Sequence, residues 1–236
     1  VKVAGALDDA ARRDLDTAIA QALEDVDAKM STYRADSELS RFNQHSSTEP
    51  FQVSAETAEV FRIALEVSRQ SDGAFDITVG HLVNAWGFGP QESGLEPDDA
   101  TIARLRENIG SQYLEVLDGN RLRKQHPDVY CDLSAVAKGY GVDRVAAELD
   151  RRGVANYMIE VGGEVRTKGN NATGAPWRIR VTSAVGGRRG SSVGAGRPPG
   201  VERRCGPAQP PPTCERGGSA GREHVGEELE QRRVDL

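Results

Sequence analysis

The chain has 236 residues, enough to bury a core in one large domain or two small ones, although only 37% are hydrophobic. A net charge of −6, with basic and acidic residues intermixed, argues against a nucleic-acid partner, because phosphate binding needs a basic face. The three cysteines, Cys131, Cys205 and Cys214, have no CxxC spacing and define neither a disulfide framework nor a zinc site.

The opening VKVAG has neither the charged nor the apolar region of a signal peptide, and it reads as a segment from inside a domain. Asp8 or Asp9 then caps a helix on which Leu15, Ile19, Leu23, Val26 and Met30 recur at helical spacing. A second helix is predicted after Ser54, with Val60, Ile63, Ala64 and Val67 on one face and a stop near Gly73. A third follows Pro97 and Asp98, carries Ile102, Leu105 and Ile109, and meets Gly110 as its stop. Tyr113 to Leu117, the turn residues Asp118 and Gly119, and Arg121 to Lys124 read as a hairpin. A short strand from Val129 to Asp132 leads into a helix near Ser134 to Arg152, ended by Gly153. A second hairpin follows, with Tyr157 to Val161, a turn at Gly162 and Gly163, and the return Glu164 to Lys168; Trp177 to Val181 is one more strand. Helices and hairpins alternate without regular βαβ units, which predicts an α+β domain with a mixed or antiparallel sheet and packed helices.

After Val181 the character changes. Residues 182–236 contain no Phe, Tyr, Trp, Ile or Lys, and Gly194 to Pro212 shows no hydrophobic period. Such a segment buries too little apolar surface to offset the cost of ordering its backbone, roughly 1–2 kcal/mol per residue. The division expected is therefore 1–181 for the domain and 182–236 for a disordered tail. The abrupt switch and the preference for Arg over Lys resemble a GC-rich reading frame read out of phase; a native linker is the alternative.

Four stretches carry more polar and small residues than a fold requires. The first, MSTYRADSELSRFN (residues 30–43), is a polar loop at a helix end with one ring at Tyr33; Asp36 and Ser37 equally suit the start of the next helical turn. The second, SDGAFDITVGHLVNAWGFG (71–89), combines small residues with Phe75, Trp86 and Phe88, which suit either a core or a wall for a flat ring. Within it, Asp76 lies among apolar neighbours and requires a partner, a backbone amide or a ligand. His81 has no His, Cys or carboxylate nearby at metal-ligand spacing. The third, DLSAVAKGYGVD (132–143), runs from a strand into a helix whose first turn carries small residues, an arrangement suited to phosphate. Lys138 adds a positive charge there and Asp132 an acceptor; a plain helix start capped by Ser134 is the competing reading. No GxxxxGK[ST] or GxGxxG fingerprint is present. The fourth, IEVGGEVRTKG (159–169), is a hairpin whose paired glycines also permit a ligand close to the backbone.

Taken in order, these stretches, followed by PWRIRV, closely resemble the ApbE-like family of FAD:protein FMN transferases over about residues 1 to 181. His81 and Gly141 stand where proline and alanine are usual in that family. The resemblance implies an enzyme that binds FAD as substrate and, with Mg²⁺, transfers FMN to a threonine of an acceptor flavoprotein subunit, releasing AMP. It implies that Tyr33 packs against the flavin end, that Ala74, Phe75 and Asp76 line the FAD site, and that Asp132 contacts the cofactor. Lys138 and Glu160 would be further contributors to cofactor binding, and the Ala135 carbonyl would be a Mg²⁺ ligand. Family members are exported to the periplasmic or cell-envelope side, so membrane contact is expected only through a partner or an anchor outside this sequence. The methionine-glycine-threonine segment that touches FAD in the family does not appear before VKVAG. Three later family segments, resembling TSGDY, HxIDPxTG and ADxxAT, do not appear after Val181, and the last of these completes the Mg²⁺ site. The resemblance therefore implies impaired transfer, with a non-enzymatic FAD carrier as the alternative.

Overall fold

A computed structural model describes residues 1–91 and 96–180, together with the backbone of Ser192–Gly194. Residues Val1–Trp177 make one compact unit. It begins with β1 (Lys2–Val3) and the long helix α1 (Asp9–Met30), whose cap is Asp8; the Asp8 carboxylate accepts from the Ala11 amide at 2.8 Å. Leu15, Leu23, Val26 and Met30 are buried and Ile19 is partly so, as the helical period requires. Residues 38–43 of the polar stretch are helical: Ser37 caps α2 (Glu38–Gln44), which buries Leu39 and Phe42 completely.

β2 (Phe51–Gln52) leads to α3 (Ala55–Gln70), capped by Ser54. Its inner face differs from the expected one. Val60 and Ala64 are buried, but Ile63 and Val67 are 45% and 41% exposed, and Thr57, Ala58, Phe61 and Ser68 face inward instead. The reason is Phe61, whose ring meets Phe42 edge-on with centroids 5.7 Å apart and turns the helix toward its own side.

A short helix, α4 (Gly80–Ala85), lies in the aromatic stretch, where none was expected. α5 (Asp99–Arg106) is capped by Asp98 and ends before Ile109, because the backbone tightens into successive turns at Glu107, Asn108 and Ile109. β3 (Leu114–Leu117) and β4 (Arg121–Lys124) pair with Leu117 opposite Arg121, so their loop holds three residues, Asp118 to Asn120, rather than two. The strand expected at Val129 to Asp132 reduces to a single parallel bridge between Val79 and Tyr130.

α6 (Ser134–Arg151) follows, then the hairpin of β5 (Tyr157–Val161) and β6 (Glu164–Lys168). Its turn residues Gly162 and Gly163 take φ of 55° and 94°, the left-handed pair that a tight two-residue hairpin needs. The strands form antiparallel sheets of order β1-β5-β6 and β2-β4-β3, confirming the α+β class.

Two cores result. One gathers the end of α1 with α2, the inner face of α3, Ile77 and residues 129–133; the other joins the start of α1 to α6 and β5. The described residues from Arg178 belong to a second unit, in which β7 (Arg178–Arg180) pairs antiparallel with β8 (Ser192–Gly194). Three residues of the expected tail are therefore a strand, and the rest of that expectation lies outside the described residues.

Candidate functional site

Two of the four stretches are joined by their main chains. The Asp132 amide donates to the Ile77 carbonyl at 2.7 Å, next to the Val79–Tyr130 bridge, so residues 76–79 and 130–132 run side by side. Asp76 and Asp132 are thereby brought to neighbouring positions from 56 residues apart in sequence. Gly80 permits the approach, since a Cβ there would fall 2.4 Å from the Tyr130 ring. His81 is accounted for structurally: its ring lies 4.9 Å from that of Tyr130, and Nε2 is 2.9 Å from the Asp128 carbonyl.

Asp76 finds its partners within the protein. Its Oδ1 accepts from the Thr78 amide and hydroxyl at 2.8 and 2.7 Å, and its Oδ2 accepts from the Ser111 amide at 2.8 Å. Thr78 is fully buried and its hydroxyl oxygen also accepts from the Gly110 amide, so this carboxylate orders the turn between α5 and β3. Asp132 is 8% exposed, and its Oδ1 accepts from the Ser134 amide at 2.7 Å. That bond replaces the cap expected from Ser134: Leu133 occupies the cap position, and the preceding carboxylate serves the first helical turn. Between the two carboxylates lies Cys131, whose thiol is pushed well above its ordinary range by complete burial, with Asp76 and Asp132 adding to the shift.

The aromatic residues divide. Phe75 packs against the first core, whereas Tyr33, Trp86 and Phe88 are 65%, 44% and 76% exposed. The Tyr33 hydroxyl donates to the Phe88 carbonyl at 3.1 Å, which ties the first stretch to the second. Uncovered rings are costly in water and suit stacking on a flat ligand. Next to Tyr33, Arg34 is held by Asp36, Glu24 and Asp27, and hydrogen bonds to the first two raise its affinity for the proton.

Ala74 and Ala135 are exposed, the latter in the first turn of α6. Lys138, one turn further, lies against the β5–β6 turn, where a Cβ on Gly162 would come 2.7 Å from its Cδ. Glu160 is exposed on β5 opposite Val165. Two buried residues without an assigned part in the sequence reading stand behind the site: Asn43 and Lys124, 9% and 1% exposed. The alternation Leu122-Arg123-Lys124 along β4 was the available signal for Lys124, since it places the lysine on the same inward face as Leu122.

Residues 1–194 match the ApbE family. The chain belongs to the ApbE family. Among its relatives, the FAD:protein FMN transferase of Vibrio cholerae is 50% identical over 168 residues, covering 71% of this chain and 50% of that protein. Its counterpart in Haemophilus influenzae is 46% identical over 165 residues, 67% of this chain and 47% of the relative. Solved ApbE structures agree in fold. The flavin transferase ApbE from Vibrio cholerae superposes with a TM-score of 0.70 at 48% identity, over 75% of this chain and 56% of its own. The apo flavinyl transferase ApbE of Pseudomonas stutzeri gives 0.68 at 36% identity, over 72% and 57%. The chain thus spans about half the length of the curated ApbE relatives it matches. Among the described residues, no group of three or more His, Cys, Asp and Glu side chains is placed to hold a metal, and no helix is long and apolar enough to cross a membrane.

Proposed function

We propose that this chain carries the flavin-binding part of an FAD:protein FMN transferase. In the full reaction a threonine hydroxyl of an acceptor flavoprotein attacks the FMN phosphorus, the phosphoanhydride bond breaks and AMP leaves. The observation that carries the reading is the junction of the Asp76 and Asp132 segments at the start of α6. Tyr33 stacks against the isoalloxazine, and Ala74, Phe75 and Asp76 line the FAD site. Asp132 keeps Oδ2 for a ligand N–H or hydroxyl, since Oδ1 serves Ser134. The N-terminus of α6 and Lys138 present positive potential to the pyrophosphate, and Glu160 contributes from β5.

Magnesium would neutralise the phosphoryl charge when bound. The family resemblance assigns the Ala135 carbonyl as a ligand that would hold it, and among the described residues no group of three or more His, Cys, Asp and Glu side chains is placed to complete a site. The described residues do not make a magnesium site by themselves. Residues 182–236 contain none of the HxIDPxTG and ADxxAT patterns of the family. On that ground the 1–181 part binds FAD while transfer by these 236 residues alone is impaired; the second reading is a protein that holds FAD without transferring it. The acceptor is a flavoprotein subunit on the periplasmic or cell-envelope side, with membrane contact only through it or an anchor.

The test is to mix the chain with FAD and a threonine-bearing acceptor, with and without Mg²⁺, and follow flavin fluorescence and AMP. Saturable FAD binding with little AMP is expected. AMP release at the rate of a full-length relative would overturn the impairment, and no saturable binding would overturn the flavin reading.

A further inference from the structure

Asn43, near the end of α2, meets the main chain of Cys131 at two points. Its Nδ2 donates to the Cys131 carbonyl and its Oδ1 accepts from the Cys131 amide, each at 2.8 Å. The side-chain amide thus stands in for the neighbouring strand that this extended segment otherwise lacks on that side. The Asn43 carbonyl in turn accepts from Lys124 Nζ at 3.1 Å, and the same ammonium donates to the carbonyls of Pro127 and Val129 at 3.1 and 3.3 Å. Lys124 therefore uses its three donors on main-chain carbonyls while lying 5.3 Å from the centroid of the Phe42 ring.

A buried ammonium carries a desolvation cost that an apolar residue of similar length would avoid. What the lysine does, and an apolar residue could not, is fix the carbonyls of Pro127 and Val129 along the approach to Asp132 and tie them to that of Asn43 on α2. On the far side, the Asp132 amide is held by the Ile77 carbonyl. The peptide leading into Asp132 is consequently gripped from α2 through Asn43 and from the second stretch through Ile77.

We infer that Asn43, itself held by Lys124, is a positioning residue for Asp132. It fixes the main chain at Cys131 so that the Asp132 carboxylate faces the ligand; the identity of that ligand rests on the flavin reading above. Asn43→Asp retains the size and one acceptor but turns the donor into a second acceptor facing the Cys131 carbonyl. Asn43→Ser, a milder change, removes both contacts and leaves room for water.

Both variants are made in the full chain, with Asp132 present and in an Asp132→Ala background. Amide hydrogen exchange and FAD fluorescence titration are measured on each. The expected result is faster exchange at the Asp132 and Ser134 amides, with α1 and α3 still protected. FAD affinity should fall about tenfold with Asp132 present, the scale set by two lost buried hydrogen bonds, and remain unchanged in the Asp132→Ala background. Unaltered exchange at those two amides would overturn the inference, as would an equal loss of affinity in both backgrounds. If the parent chain binds no FAD, the flavin reading fails, while the exchange comparison still decides whether Asn43 sets the backbone of Asp132.

Discussion

At the scale of single residues, buried polar groups are paired with defined partners, with Asn84 Nδ2 the exception among the described residues. Glu38 illustrates the rule: its Oε2 accepts from the Ser54 amide and hydroxyl and from the Thr57 hydroxyl, locking α2 to the first turn of α3. Cys131 is the opposite case, a thiol with no polar task. Complete burial holds it protonated, because a thiolate would have to form in an apolar site beside two carboxylates. We expect Cys131 to resist alkylation by iodoacetamide in the native chain and to react on unfolding in guanidinium, as read by peptide mass mapping. Rapid native labelling at Cys131 would show that the packing around the Asp76–Asp132 junction is not as described.

At the scale of elements, the helix starts were the most legible part of the sequence. Asp8, Ser54 and Asp98 each cap the helix expected after them, because capping depends on local chemistry that one side chain supplies. Faces were less legible: the apolar period of α3 did not reveal that Phe61, rather than Ile63 and Val67, meets the core. That choice is made by Phe42 across the interface, and no window along α3 contains it. Ser37→Ala removes both the cap bond to the Ser40 amide at 2.9 Å and the donation to the Ser31 carbonyl at 2.6 Å. We expect a loss of about 1–2 kcal/mol in chemical denaturation, and a variant as stable as the parent would contradict the cap.

Glu56 gives a pH-dependent counterpart at the start of α3. Its own backbone amide and then Lys29, 3.1 Å away on α1, hold its carboxyl below the ordinary value of 4.5. The folded value being the lower one, its stabilisation is complete above the ordinary value and disappears as pH falls through the folded value. Glu56→Gln should therefore lie below the parent in stability at neutral pH, and the gap should close in acid. A gap that persists at low pH would mean that the charge is not responsible.

At the scale of the whole molecule, α6 links the two cores, and its first turn stands where the second and third stretches meet. The motifs themselves were readable in order from the sequence, as was the α+β class. Their assembly was not. It depends on Asn43 reaching Cys131 and on Asp132 reaching Ile77, contacts across 88 and 55 residues that leave no periodic trace. The uncovered rings of Tyr33, Trp86 and Phe88 were equally hidden, since composition alone does not separate a core aromatic from one left open. The central claim is that these contacts assemble a flavin-binding surface within the described part of the chain. Equilibrium titration of FAD fluorescence with the purified chain and with Asp132→Ala tests it most directly. We expect saturable binding by the parent, weakened about tenfold by the substitution as befits one lost charge-assisted hydrogen bond; no saturable change with the parent, or equal affinity for both, would contradict a flavin-binding surface there.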